Sequence, residues 1–180
     1  ISRELSTSLD LKYLLQMVFD EALRTTGANC GTLMLFDPHA ESSPPPVMFF
    51  IGDSPSATLL PVELHVLERV DAQLIRTYES SHYKPPHGGV QASMVVPIAY
   101  QEHIAGLIHL HADNPETFDE TALEITQTLA VQAAIVLGNA LQYQEQSRRS
   151  ELLNRQVETF NRLLHISREV QLDQPLPQAL

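Results

Sequence analysis

The chain has 180 residues, 43% of them hydrophobic and 18% charged, a globular composition long enough for one buried core. Eleven Lys and Arg against 22 Asp and Glu give a formal net charge of -11, so the long-range field repels phosphate and anionic lipid, and neither nucleic acid nor direct membrane contact is expected. There is no run of about 18 consecutive apolar residues and no charged-then-apolar leader, and the single cysteine, Cys30, fits a reducing, cytoplasmic setting.

Leu11, Leu14, Leu15, Val18, Ala22 and Leu23 recur at helical spacing, with Asp10 placed as an N-cap and Gly27 placed for the left-handed residue after the last turn. This predicts a helix over 11–26. CGTLMLF (30–36) and VMFFI (47–51) are short apolar runs rich in strand formers, separated by a breaker cluster with three consecutive prolines. Pro61 suits the first turn of a helix carrying Leu64, Val66, Leu67, Val70, Leu74 and Ile75. SSHYKPPHGG (80–89) is a loop, and strands are predicted over 93–100 and 104–111 with a turn at 101–103. From 116 to 174 there is no proline and one glycine, Gly138, which predicts a helix from 119 to 170.

That last helix changes character along its length. Leu123 to Leu141 is apolar enough to pack on a sheet, Gln144 to Glu151 contains no apolar residue, and Leu153, Val157, Phe160 and Leu164 then return at heptad spacing. The expected organisation is a folded domain over 1–143, a helical linker or coiled-coil segment over 144–170, and the start of a following domain over 171–180. The fold class expected is α+β: an antiparallel sheet of about five to six strands with helices packed on one face, plus the long C-terminal helix.

The second half of the chain, ASMVVPIAYQEHIAGLIHLHADNPETFDETALEITQTLAVQAAIVLGNA, resembles the closing half of a GAF domain. The resemblance rests on Val96 and Pro97 in one strand, Ala105 to Ile108 in the next, Phe118, and Asn139 with Ala140 in the last helix. LDLKYLLQMVFDEALRTTGANCGTLMLFD similarly looks like the start of such a domain. The resemblance implies a regulatory module of a multidomain signalling protein, of two-component type among others, with an output domain in the same chain. Ile1, Ser2, Arg3 and Glu4 recur as Ile166, Ser167, Arg168 and Glu169, which fits a second similar domain opening where the first one's exit helix ends. A histidine-kinase phosphoacceptor segment is the rival for these last residues, but Arg168 stands where that segment needs His.

No GxSxG, HExxH or phosphate-binding glycine loop is present, and this fragment is not expected to be an enzyme. Among eight histidines, His109 and His111 fall on the same face of a strand, together with Leu107, while Ile104, Gly106, Ile108 and Leu110 fall on the other. With His82 or His87 they would supply three nitrogen ligands, yet structural histidines are the preferred reading and no metal is expected. His111 occupies the place of the chromophore-adjacent His in phytochrome-type GAF domains, but Cys30 sits in the first strand and is assigned to packing, so a bilin is not expected. Cyclic-nucleotide-binding members carry Asn-Lys and a spaced Phe…Asp-Glu; here Asn114 precedes Pro115, and Asp119 and Glu120 directly follow Phe118.

The leading functional expectation is a module that binds an unknown small molecule, with no covalently bound cofactor. Arg76, Tyr83, His87, Ser93 and His109 are the expected ligand-binding residues: Arg76 to fork onto a carboxylate, Tyr83 to cover an apolar body, the others to hydrogen-bond. The alternative is a pure dimerisation scaffold without ligand. A parallel homodimer is expected through the first helix and the 129–164 stretch, with Gly138 allowing close approach and Leu153, Val157, Phe160 and Leu164 forming the seam.

Overall fold

The computed structural model describes residues 2–38 and 40–172, and the side chains of 10–38 and 40–163. Helix α1 (Ser2–Thr26) leads into the hairpin β1 (Cys30–Phe36) and β2 (Val47–Gly52). Helix α2 (Pro61–Arg69) and the short β3 (Gln73–Ile75) follow, then β4 (Ala92–Tyr100), β5 (His103–Ala112) and α3 (Glu120–Leu172). The five strands form one antiparallel sheet in the order β2-β1-β5-β4-β3. This is the expected α+β class, except that helices cover both faces of the sheet, α2 one side and α1 the other, where one face was expected. Two units divide the chain, Ile1–Ala140 and Leu141–Leu180.

Helix α1 runs through Asp10, which is therefore interior and not the cap expected of it. Its buried stripe is Leu15, Val18, Phe19 and Ala22, and it ends where Gly27, at φ 73°, gives its N–H to the Leu23 carbonyl at 3.1 Å. Helix α2 is shorter than its periodicity suggested. Val70 takes a left-handed conformation, φ 56°, and closes the helix by donating to Val66 O at 2.9 Å. Leu74 and Ile75, expected on that helix, instead form β3, with Leu74 opposite Met94 and Ile75 opposite Ser93. A 3.6-residue spacing of apolar groups continues across Val70 by coincidence, and the break lies in the backbone rather than in the pattern.

The sheet has two unlike faces. Met34, Phe36, Val95 and Leu107 join Ile75 and the α2 residues Val62 and Val66 in one apolar cluster. The alternate residues Leu33, Leu35, Met94, Val96, Ile98, Ile108 and Leu110 are buried on the other side, where α1 lies against β1 and β2. Ile104 does not keep the expected alternation. β4 and β5 shift register so that Ile98 faces Gly106 but Ala99 faces Ile104, leaving Ala105 as the extra residue. This puts Ile104 beside the α2 cluster with Leu107.

Helix α3 starts on a side-chain cap: Asp119 Oδ1 accepts the Ala122 N–H at 2.7 Å. Within the first unit its buried stripe is Ala122, Thr126, Leu129, Ala130, Ala133, Ala134 and Leu137. Gly138, expected at a contact between two helices, is used within this domain, because its missing Cβ makes room for the Tyr100 ring of β4. By length and composition α3 is apolar enough to cross a bilayer, but 44% of that apolar window is buried inside the protein. In the second unit Leu153, Val157 and Phe160 are exposed, at 61%, 57% and 61% of their surface. The side chains of Leu164 and of the segments that repeat one another at the two ends, and residues 173–180 of the expected following domain, lie outside what the structure describes.

Candidate functional site

Between α2 and the strands it covers, the apolar cluster gives way to polar groups around a cavity of about 410 Å³. Strand pairing builds one wall. Cys30, Thr32 and Met34 alternate on β1, and Cys30 lies opposite His111 and Thr32 opposite His109 on β5. The chain leaving β2 supplies Asp53, Ser54 and Ser56; the start of α2 supplies Leu60 and Glu63; the loop before β4 supplies His87. Three imidazoles, two carboxylates and a thiol therefore share this lining, and among its residues there is no Lys or Arg.

Glu63 is almost fully buried, and two bonds justify it. One carboxylate oxygen accepts the Leu60 N–H at 2.7 Å, half of a capping box at the α2 N-terminus, and the other accepts from His109 Nδ1 at 2.8 Å. With Nδ1–H committed to the carboxylate, a neutral ring would present a lone pair at Nε2. That atom is buried and has no hydrogen-bond partner among the described residues.

His111 is fixed differently. Tyr78 donates its O–H to Ser93 Oγ at 2.7 Å, and Ser93 Oγ in turn lies 2.9 Å from His111 Nδ1, so that donation by the serine hydroxyl would set the ring proton on Nε2. Burial, followed by the nearby His109 and His87 rings, holds the His111 pKa down to about 3. Burial likewise raises the Tyr78 phenol, keeping it a donor. The cavity wall thus sets the His109 and His111 rings side by side, their centroids 4.2 Å apart. His87 stands at 5.8 Å from His111, edge to face. Cys30, at the rim, has its thiol pKa pushed up to about 11 by burial first and then by a hydrogen bond with Asp53.

A helix, a β-hairpin, a variable helical segment, two long strands and a long exit helix now stand in order around a five-stranded antiparallel sheet. A family model described as a GAF domain matches residues 8–138. The chain belongs to the GAF domain family. Solved structures agree in fold. The GAF domain region of a putative membrane protein from Geobacter sulfurreducens PCA superposes with a TM-score of 0.60 at 16% identity, over 74% of this chain and 97% of that one. The blue-light-absorbing form of the PixJ GAF domain from Thermosynechococcus elongatus gives 0.59 at 18% identity, over 81% and 95%. A type II free methionine-R-sulfoxide reductase from Thermoplasma acidophilum gives 0.50 at 14% identity, over 70% and 96%. A comparison with curated protein sequences returned no match.

Of the five residues expected to bind ligand in this GAF domain, His87 and His109 line the cavity. Ser93 lies behind the wall, fully buried, and acts through His111. Tyr83 is packed away from the lining, half-buried against the α2 cluster, with His82 tilted on its ring at 4.0 Å. Arg76 does reach a carboxylate, but it is the exposed Glu120 of its own chain, at 2.8 Å. Glu63, His111, Cys30 and Asp53 were not among the expected ligand-binding residues. Cys30 is more than a packing residue, since its alternation with Thr32 and Met34 brings it to the cavity. The signal for Glu63 was the Pro61-Val-Glu63 start of α2, which places a carboxylate at the third helical position.

Proposed function

We propose that this domain is a non-enzymatic sensor whose small-molecule ligand sits in the cavity between α2 and the β1–β5 wall. The observation that carries the reading is a 410 Å³ cavity, a volume within the range of small-molecule sites, lined by His109, whose buried Nε2 has no hydrogen-bond partner among the described residues. A domain serving only as a scaffold gains nothing from a buried acceptor without a donor, which costs about 1–3 kcal/mol. The lining also limits the ligand. With Asp53 and Glu63 present and no Lys or Arg, it disfavours carboxylates and phosphates, cyclic nucleotides included, and suits a neutral or cationic molecule carrying an N–H or O–H for His109.

The signal in this reading leaves through α3, paired with the same helix of a second copy in the cytoplasm. The exposed Leu153, Val157 and Phe160 at heptad spacing support the pairing. Ligand binding would bias an output domain by favouring one arrangement of the paired helices over another.

Native mass spectrometry of the mildly purified protein tests both parts. A non-covalent organic mass on the wild type, lost in His109→Leu while the circular dichroism is kept, is the expected result; retention of that mass in the variant, or a mass-free protein that no compound in a metabolite screen stabilises, overturns the sensor reading. Val157→Asp with Phe160→Asp is expected to weaken self-association with helix content preserved. A wild type that scatters light as a monomer at every concentration overturns the pairing.

A further inference from the structure

Three side chains at the cavity rim come from separate parts of the chain. Cys30 opens β1, Asp53 follows β2, and His87 lies in the loop before β4. Their thiol sulfur, a carboxylate oxygen and a ring nitrogen all lie within 4.8 Å of one another. In a four-coordinate site with bonds of about 2.0–2.3 Å, neighbouring donors stand roughly 3.5 Å apart, so closure onto an ion asks for shifts of about an ångström. Asp53 and His87 are exposed loop residues and have room for that movement.

Two independent features of the same cavity point to a cation. His87 and His109 each have Nδ1 against an oxygen, the Gly88 carbonyl at 3.2 Å and the Glu63 carboxylate at 2.8 Å. This is the arrangement by which proteins fix a histidine's tautomer and leave Nε2 as a ligand, the outer oxygen raising its basicity. In His109 that Nε2 is buried and unpartnered among the described residues. The second feature is charge: the lining holds Asp53 and Glu63 with no Lys or Arg, in a chain of formal net charge -11.

We propose that the mouth of the cavity is a binding site for a borderline-soft divalent transition ion, of the zinc, cobalt(II) or iron(II) class, held by Cys30, Asp53 and His87. The donor set selects the class. One sulfur and one imidazole favour these ions over magnesium and calcium, which take oxygen ligands. The thiol proton leaves to solvent as the Sγ–metal bond forms, with no change in oxidation state. This site uses the cavity rim and does not depend on the organic ligand proposed above.

Cobalt(II) is the probe, because its absorption reports both geometry and a thiolate bond. The full 180-residue protein, stripped with chelator, is expected to bind one equivalent and to develop visible bands of tetrahedral intensity with a near-ultraviolet sulfur-to-cobalt charge-transfer band; zinc should bleach both. Cys30→Ser should abolish the charge-transfer band, and Asp53→Asn and His87→Gln should each weaken binding tenfold or more. All three positions lie at the exposed or half-exposed rim, so circular dichroism and melting should match the wild type. No saturable cobalt binding, or a charge-transfer band that survives Cys30→Ser, overturns the site. A protein that takes no cobalt yet carries an organic mass keeps the sensor reading and loses this one; the converse result keeps the metal site alone.

Discussion

The two faces of the sheet use the same strands for different ends. On the α1 side, Leu33, Leu35, Met94, Val96, Ile98, Ile108 and Leu110 are all buried and all apolar, and the face does nothing but hold the domain together. On the α2 side the strands start the same way, with Met34, Val95 and Leu107, and then turn polar toward one end: Thr32, Ser93, His109 and His111 are buried there beside Glu63. Stability alone does not favour that substitution. Each buried polar group must be desolvated, and the wall still leaves one nitrogen unpaired. The proposed site rests on that difference: the uniform face fixes the frame, and the mixed face spends part of the available burial on polar groups that line a cavity.

Mutation of one residue on each face tests this contrast most strongly. Glu63→Ala removes the partner of a buried ring and one N-terminal bond of α2, and should cost about 3–5 kcal/mol in urea unfolding. Ile108→Ala, on the other face, should cost about 2–5 kcal/mol through a cavity in packed hydrocarbon. The decisive variant is the double change Glu63→Leu with His109→Leu. Replacing both members of a buried pair by apolar groups should recover most of the loss while ligand binding stays abolished. A double variant as unstable as Glu63→Ala would mean that the polar wall is a structural requirement, and the contrast between the faces would fail.

How much of this was legible in the sequence follows the same division. The uniform face was readable because alternation over β5 assigns Ile108 and Leu110 to one side, and the helical stripe of α1 repeats at fixed spacing. His109 was found for the same reason, as a polar residue at an otherwise buried position. Its partner was not. Glu63 lies 46 residues away, and no local pattern says which helix start a strand histidine will meet. Arg76 and Tyr83 were expected at the ligand and do not line the cavity; for Arg76 the unseen step is that α2 ends at Val70, which moves the following segment onto the sheet edge. The bulge at Ala105 is equally silent, since nothing in IAGLIHLH marks an extra residue. Pairings between distant segments set the site, and one sequence shows only what each segment prefers by itself.

A smaller effect concerns acid. His111 titrates at about 3 in the folded domain against 6.5 for a free ring, held down by burial and by the His109 and His87 rings. Between those values the unfolded chain binds the extra proton, so the contribution of His111 is complete above pH 6.5 and is lost progressively as pH falls toward 3. The loss should reach a few kcal/mol, and urea midpoints measured at successive pH values should show it. In His111→Gln, whose amide oxygen can still accept from Ser93, the slope between pH 6.5 and 4.5 should flatten. An unchanged slope would mean that the ring is reached by solvent and that the mixed face is less sealed than its geometry indicates.

The smallest expected effect is at Arg76, and it decides where the site ends. Arg76 was the one residue whose chemistry suggested an anionic ligand, and its guanidinium instead meets Glu120 at 2.8 Å, with both side chains mostly exposed. An ion pair in such a position is screened by water and contributes at most about 1 kcal/mol, often nothing measurable. Arg76→Ala should therefore leave the melting temperature nearly unchanged and the affinity for any cavity ligand the same. Glu120→Gln should be equally mild, because the helix keeps its side-chain cap at Asp119. The pair of variants separates two geometries of recognition. If Arg76→Ala abolishes ligand binding while Glu120→Gln leaves it intact, then the arginine leaves its partner to meet an anion, the ligand's charge is opposite to the one that the cavity lining selects, and the site extends to the edge of the sheet beyond β3.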